Sequence, residues 1–522
     1  MKKKLTVLVI VIIVIVSIIL LWNSNKKDDD QLESGAVLEN NEESNQFGVS
    51  TSNPLASQVG VEVLEEGGNA VDAAIAIAYT LGVVEPYGSG IGGGGGMMIK
   101  FPDEDEPIFV DYKEISDGED FDENVRTGIP GFVAGMDHLQ KQYGTMDMET
   151  LIEPAIKYAK KGFEIDSSLA GRIDRNKDYI IHTAPHFYKN DEGLKEEDTL
   201  VQKELGKTLQ AIQKNGADYF YNEILKDRFK YDEKMVKERL VVERKPAHGE
   251  VNGKKIFSAA PPFSGVTLIQ MLKMLEYENV QPLIGSESEN IEQYLEIVDK
   301  AYNDRKSTVG DPTVQSIDYN KLTTDEYIQK LLSNSVSVFD NYEEEPVSTT
   351  HFSIIDKDGL VVSATNTLSQ FWGSGESYKG FFLNNGLDNF NTVKGSFNEY
   401  KPYKKSRSFI APTIIMEKDS ITAIGSPGGN RIPQILAQVL LDYHVTEDLS
   451  ESVLVPRLIL KDSIIEFESY PDSVLIDALE EAGYTTRVVD SAAYYGGINA
   501  IVDTGEEIIG ISDFRRDKKI SE

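Results

Sequence analysis

The chain has 522 residues, 40% of them hydrophobic, and a formal net charge of −34, so it is long enough to bury a core of more than one layer. The acidic excess excludes nucleic acid as a partner, because phosphate binding needs a net basic face; it suits solubility in a salty or alkaline exterior. Cysteine is absent, which removes disulfides, thiolate nucleophiles and cysteine-ligated zinc, so any nucleophile is oxygen or nitrogen.

Three lysines, Lys2 to Lys4, precede an unbroken apolar run from Leu5 to Trp22. As a helix this run reaches about 27 Å, just enough to span a bilayer. The basic flank predicts a cytoplasmic start with the bulk of the chain outside. Residues 1–22 are therefore read as a membrane anchor; a cleaved signal peptide is the alternative, although no small-residue cleavage site follows. Residues 23–46 are polar and acidic and read as a stalk. Asn53 and Pro54 then form a helix start, and Gly67 and Gly68 its end. An alanine-rich helix is expected from about Val71 to Leu81, with Ala73, Ala74, Ala76 and Ala78 as a close-packing face.

The stretch "GSGIGGGGGMMIKF" superficially invites a dinucleotide-binding reading. That fingerprint must open a helix, whereas Met97 to Lys100 look like strand, and strongly patterned flanks argue against a flexible linker. The histidines number six. Their one close pair, His182 and His186, is interrupted by Pro185 and lacks a neighbouring carboxylate, so no metal site is expected. Helical patterns such as "TLIEPAIKYAKKG" and "IEQYLEIVDKAYNDRK" alternate with short strands such as "KKIFSAA" through the middle of the chain. After an acidic run ending at Ser348 the texture changes. "HFSII", the turn "DKDG" and "LVVSATNTL" predict a hairpin, "SFIAPTIIM" and "SITAIG" two more strands, and "SPGGNRIPQILAQVLLDY" a glycine turn feeding a helix. Helices on either side of strands predict a layered α/β domain. Lys401, Lys404, Lys405 and Arg407 form a local basic cluster, with Arg431 beyond it. Such a cluster can hold an anion despite the global charge, because screening makes distant carboxylates weak; a solvated basic loop is the plain alternative.

Thr349 and Thr350 open the hairpin abruptly. Two threonines at a strand start are ordinarily β-propensity alone. A second reading is chemical. A hydroxyl is a poor nucleophile without a base beside it; a cut between Ser348 and Thr349 would free an α-amine of pKa near 7.7 to 8.0 to serve as that base. Before the cut this nitrogen is an amide, so the uncut chain would be inactive.

The motifs "NPLASQVGVEVLEEGGNAVDAAIAIAYTLGVVEP", "GIGGGGGMM", "GIPGFVAGM", "STTHFSIIDKDG", "FFLNNGLDNF" and "GSPGGNR" occur in one order that resembles the γ-glutamyltransferase family of N-terminal nucleophile hydrolases. The likeness extends from about Phe47 to the last strands. "SGIGGGGGMM", "SAAPPFSGVTLIQMLKMLE" and "RSFIAPT" are most similar to the branch acting on poly-γ-glutamate. The resemblance implies a four-layer αββα sandwich cleaved into a large subunit, 47–348, and a small subunit, 349–522, that remain together as a heterodimer. It implies Thr349 as nucleophile, Thr367 as support for its hydroxyl, and Gly428 and Gly429 as the oxyanion pair. Lys113 stands where an arginine commonly holds the substrate carboxylate, Asn389 where an acidic residue commonly grips the substrate α-ammonium, Ser408 within the segment of the usual paired serines, and Ser369 where Asn is usual. Arg407 and Arg431 complete the substrate-binding candidates. No cofactor is implied. The implied activity is hydrolysis or transfer of γ-glutamyl groups, with poly-γ-glutamate as substrate and an amine, such as one on the cell wall, as acceptor. Glutathione or γ-glutamyl peptides are the alternative substrates, and an uncleaved surface binding protein is the non-enzymatic one.

Overall fold

The computed structural model describes residues 47–119, 122, 124–334 and 348–516. The predicted anchor and stalk lie outside them. Among the described residues no helix is long and apolar enough to cross a membrane.

The helix expected after Asn53 is α1, Pro54–Glu65, with the Asn53 side chain accepting from the Leu55 and Ala56 N–H groups, which would otherwise lack partners in the first turn. Next comes α2, Ala70–Val84, longer than predicted at its C-terminal end. Asn69 and Asp72 close its start reciprocally as a capping box,. Nearly every residue of α2 is buried, as expected of a helix apolar on all sides. Two further helices, α3 (Phe132–Tyr143) and α4 (Met148–Lys161), share its core, and α5 (Ser167–Arg175) follows.

Twelve strands build two antiparallel sheets. In the first, β1 (Gly48–Thr51), β2 (Gly94–Lys100), β3 (Ile108–Asp111), β4 (Val242–Arg244), β7 (Ser348–Ile355) and β8 (Val361–Ser369) take the order β1-β7-β8-β2-β3-β4. The second contains β5 (Ala247–Val251), β6 (Lys254–Ser258), β9 (Thr413–Met416), β10 (Ile421–Gly425), β11 (Asn499–Asp503) and β12 (Ile508–Ser512), ordered β12-β11-β10-β9-β6-β5. On β7 and β8, Phe352, Ile354, Val362 and Ala364 point to the core shared with α2. Residues of the opposite parity, including His351, Ser353 and Ser363, face the second sheet, where Ser363 Oγ donates to the Ile424 carbonyl at 3.1 Å. The helices α6 (Gly265–Tyr277), α7 (Ser288–Thr308) and α8 (Ile432–Thr446) share the other sheet's core. The order is thus helix, sheet, sheet, helix.

Two expectations change. The glycine run does not precede the strand: Gly94 to Gly96 belong to β2. A Cβ on Gly94 would come within 2.7 Å of the Tyr112 oxygen, and one on Gly93 within 2.2 Å of the Thr367 oxygen, so backbone is stacked on backbone where a side chain has no room. The strand expected over "SFIAPTIIM" begins only at Thr413; Pro412 has no N–H to give the ladder.

The basic cluster is also different from the sequence expectation. Lys401 is exposed, but Lys404, Lys405 and Arg407 are buried. Lys404 donates to the Phe397 and Glu399 carbonyls at 2.8 and 2.7 Å. Arg407 donates to the Arg305 and Lys306 carbonyls at 3.1 and 3.0 Å, at the end of α7, where the helix dipole favours a cation. This cluster ties the 404–407 segment into the fold and is no surface for a polymer.

Lys405 bonds Asp111 Oδ1 at 2.7 Å, and Arg244 Nε bonds Asp111 Oδ2 at 3.0 Å. Burial works to raise the Asp111 pKa, but these two cations prevail and hold it below the usual carboxylate range. Its stabilisation is therefore complete above the unfolded value near 4 and is lost as pH falls through the lower folded value. Asp111→Asn leaves the buried Lys405 charge without its partner, a change that costs about 3–5 kcal/mol. Denaturant unfolding near neutral pH should register a loss of that order, shrinking on acidification below about pH 4; an unchanged midpoint would refute this account.

Candidate active site

The hairpin places Thr349 opposite Thr367, and Thr367 opposite Gly94 on β2. The register shifts between Ser348 and Thr349, with Leu368 the extra residue on β8, opposite the peptide bond expected to be cut,. Ser348 is fully buried, and its hydroxyl donates to the Tyr87 carbonyl and, at 3.2 Å, to that of Gly88. The loop after α2 is itself held to β8, since the Leu368 N–H donates to the Gly88 carbonyl at 3.2 Å. The Thr367 hydroxyl donates to the Ser348 carbonyl and accepts from the Ser369 N–H at 2.9 Å. The supporting threonine thus rests directly on the carbonyl that precedes the nucleophile candidate. Ser369 adopts a left-handed φ of 75°.

His351 lies two residues along the same face. Its nitrogens contact Thr365 Oγ1 at 2.8 Å and Ser353 Oγ at 3.2 Å, and burial lowers its pKa to about 3. It stays neutral, with both nitrogens engaged, and is unsuited to serve Thr349 as a base. The ring packs on Gly425, where a Cβ would come within 2.3 Å of it. Gly425 ends β10 and leads into the loop of Gly428 and Gly429, both at positive φ (154° and 59°), just before α8. Backbone N–H groups at such a helix start suit a developing oxyanion.

Lys113 is adjacent to this line, its backbone against Gly94. Its ammonium is fully buried, bonding Glu114 and, at 3.1 Å, Ser406 Oγ. Ser406 Oγ donates onward to the Gly386 carbonyl at 2.7 Å, tying Lys113 to the "NNGLDN" turn. Asn384 secures that turn, donating to the Gly92 and Gly128 carbonyls at 2.8 and 2.9 Å. Asn389 is half-buried at the end of the turn, its carbonyl accepting from Asn398 at 2.6 Å. The neighbouring Asp388 forms an ion pair with Arg126, whose Nε donates to it at 2.8 Å, and accepts from Asn385 Nδ2 at 2.9 Å. Ser408 is buried, and its carbonyl accepts from Ser264 Oγ at 3.0 Å. Arg407 points its guanidinium to the end of α7, while its N–H donates to Asn398 Oδ1, the residue that holds the Asn389 carbonyl.

Sequence reasoning missed two arginines near the strand start. Arg516 Nη1 donates to the Thr349 carbonyl at 3.4 Å. Arg172, on α5, holds its guanidinium 4.5 Å from the ring centres of both Tyr87 and Phe371. Burial, then the charge of Arg172, lowers the Arg516 pKa to about 10; Arg431 acts in the same direction, and Tyr87 and Glu85 oppose. Nothing local in the sequence marks either residue.

A hydroxyl heading a core strand, a second threonine on the preceding carbonyl and a glycine turn at a helix start are the groups that acyl transfer calls for. The chain belongs to the gamma-glutamyltranspeptidase family, whose sequence profile matches residues 56–522, and it is a γ-glutamyl hydrolase or transferase. It is 41% identical over 482 residues to the capsule biosynthesis protein CapD proenzyme of Bacillus anthracis, covering 91% of this chain and 90% of that one. It is 33% identical over 492 residues to the glutathione hydrolase proenzyme of Bacillus subtilis (strain 168), covering 83% of each. The cephalosporin acylase of Bacillus halodurans shares the fold, with a TM-score of 0.81 at 20% identity over 93% of this chain and 98% of its own.

Proposed function

We propose that the chain is a precursor that cuts itself between Ser348 and Thr349, and that Thr349 then attacks γ-glutamyl amide bonds within poly-γ-glutamate. Thr367 at the Ser348 carbonyl carries this reading. A donor there polarises the carbonyl that the adjacent Thr349 hydroxyl must attack. In the cut, Thr349 Oγ1 bonds the Ser348 carbonyl carbon, the C–N bond breaks to leave an ester and a free amine, and water hydrolyses the ester. In turnover, the α-amine takes the Thr349 hydroxyl proton as the oxygen attacks the γ-carbonyl, and returns it to the departing amine. Gly428 and Gly429 receive the oxyanion. Water completes hydrolysis, or an acceptor amine, such as one on the cell wall, completes transfer. Residues 1–22 anchor the enzyme with its catalytic part outside the cell.

Asn389 favours a polymer over glutathione. A terminal γ-glutamyl group carries an α-ammonium, for which a carboxylate gives a charge-assisted hydrogen bond; inside a γ-linked chain the nitrogen is a neutral amide, which Asn suits. Asp388 offers no substitute, because Arg126 and Asn385 engage it. The capsule-related name of a 41% identical relative agrees. The glutathione reading draws on the relative at 33%. Competition between γ-glutamyl oligomers and glutathione, read as kcat/KM, should favour the oligomers by about tenfold or more. Asn389→Asp should move the balance toward free α-amines. Equal or better use of glutathione by the wild type would overturn the polymer reading.

A further inference from the structure

Several buried arginines of this protein meet carboxylates, while Arg407 meets backbone carbonyls. Arg457 pairs with Asp513 at 2.7 Å, Arg244 with Asp111 at 3.0 Å, and Arg515 with Glu468 and Asp513. Arg516, next in the chain, turns the other way, to the Thr349 carbonyl. Arg172 is held only 7% exposed between two aromatic rings, and Arg431 is equally buried, its guanidinium carbon 3.9 Å from the centre of the Tyr494 ring and its Nε donating to the Tyr494 carbonyl at 2.9 Å. None of these three forms an ion pair with a carboxylate among the described residues, and the Nε atoms of Arg172 and Arg516 are buried with no hydrogen-bond partner there. Glu85 is the carboxylate whose field reaches Arg516. A buried charge without a carboxylate is costly; Arg172, on the ring of Tyr87, whose carbonyl receives Ser348, and Arg431, just after Gly429, both act on the charge of Arg516 at the Thr349 carbonyl, so the three ask for an anion in a chain of net charge −34.

We propose that Arg172, Arg431 and Arg516 form a carboxylate-binding site near Thr349 that takes the α-carboxylates of residues neighbouring the reacting unit in a γ-linked chain. The inference rests on the polymer reading above and deepens it. Aromatic faces hold the Arg172 and Arg431 guanidinium planes in place, so less freedom is lost when a carboxylate docks in the two-pronged manner that arginine permits. A γ-linked polymer presents one free α-carboxylate per residue, whereas a single γ-glutamyl group on a neutral leaving group presents only its own.

The test compares short γ-glutamyl oligomers of increasing length with a neutral γ-glutamyl anilide, without added amine so that acceptor carboxylates are absent. Arg172→Gln is the main variant because Arg172 stacks on Tyr87 and Phe371 and, unlike Arg516, makes no hydrogen bond to the Thr349 carbonyl among the described residues. Its kcat/KM should fall about tenfold or more on the oligomers, and at least fivefold further than on the anilide. Arg172→Lys, which keeps the charge, should recover part of the oligomer loss, and rising salt should narrow the difference between wild type and Arg172→Gln. Equal losses on both substrates, or no loss on oligomers, would overturn this site. A wild type that works on glutathione and anilide but not on oligomers would instead overturn the polymer reading itself, so the two failures are distinguishable.

Discussion

Thr349→Ala is expected to remain one chain under denaturing conditions and to lose γ-glutamyl turnover by about a millionfold, to background. The alanine removes the oxygen that attacks the Ser348 carbonyl, so the cut does not occur. It also removes the acyl acceptor of the catalytic cycle, and the nitrogen that should act as base stays an amide. Thr349→Ser keeps the oxygen while losing the methyl group, and should be cut and active at a reduced rate. The fold around position 349 should tolerate either change, because the strand is held by its pairing with β1 and β8. Thr349→Ala that is cut normally, or that retains turnover, would contradict the assignment.

Thr367→Val is expected to slow self-cleavage by about a hundred- to a thousandfold, the usual effect of removing one donor from a carbonyl under attack. Valine matches threonine in shape but cannot donate to the Ser348 carbonyl or accept from the Ser369 N–H. Thr367→Ser should restore most of the rate. Pulse labelling of the precursor followed over time separates the two variants, and equal cleavage rates for wild type and Thr367→Val would remove Thr367 from the processing step.

The hairpin was legible because its turn is short. Once "DKDG" reverses the chain, counting outward sets Ile355 against Val361 and Thr349 against Thr367,. The glycine loop before α8 was legible for a similar reason, since a helix start follows it immediately. The basic cluster misled because sequence proximity does not say which way a charge points: the carbonyls and carboxylate that draw Lys404, Lys405 and Arg407 inward come from Phe397, Glu399, Asp111, Arg305 and Lys306. Conversely, Arg172 and Arg516 look ordinary in sequence, and only folding sets Arg172 on the Tyr87 ring and Arg516 at the Thr349 carbonyl. The Lys113 environment was half legible. Its position beside the site followed from its motif, but its burial against Glu114 and Ser406 depends on a turn far along the chain.

The most direct test of the central claim is to separate the purified wild-type protein under denaturing conditions and sequence the amino terminus of each product. Two chains are expected, the smaller beginning Thr-Thr-His at Thr349 and carrying a γ-glutamyl adduct on that residue when quenched during turnover. A single uncut chain that turns over γ-glutamyl amides at full rate would contradict it.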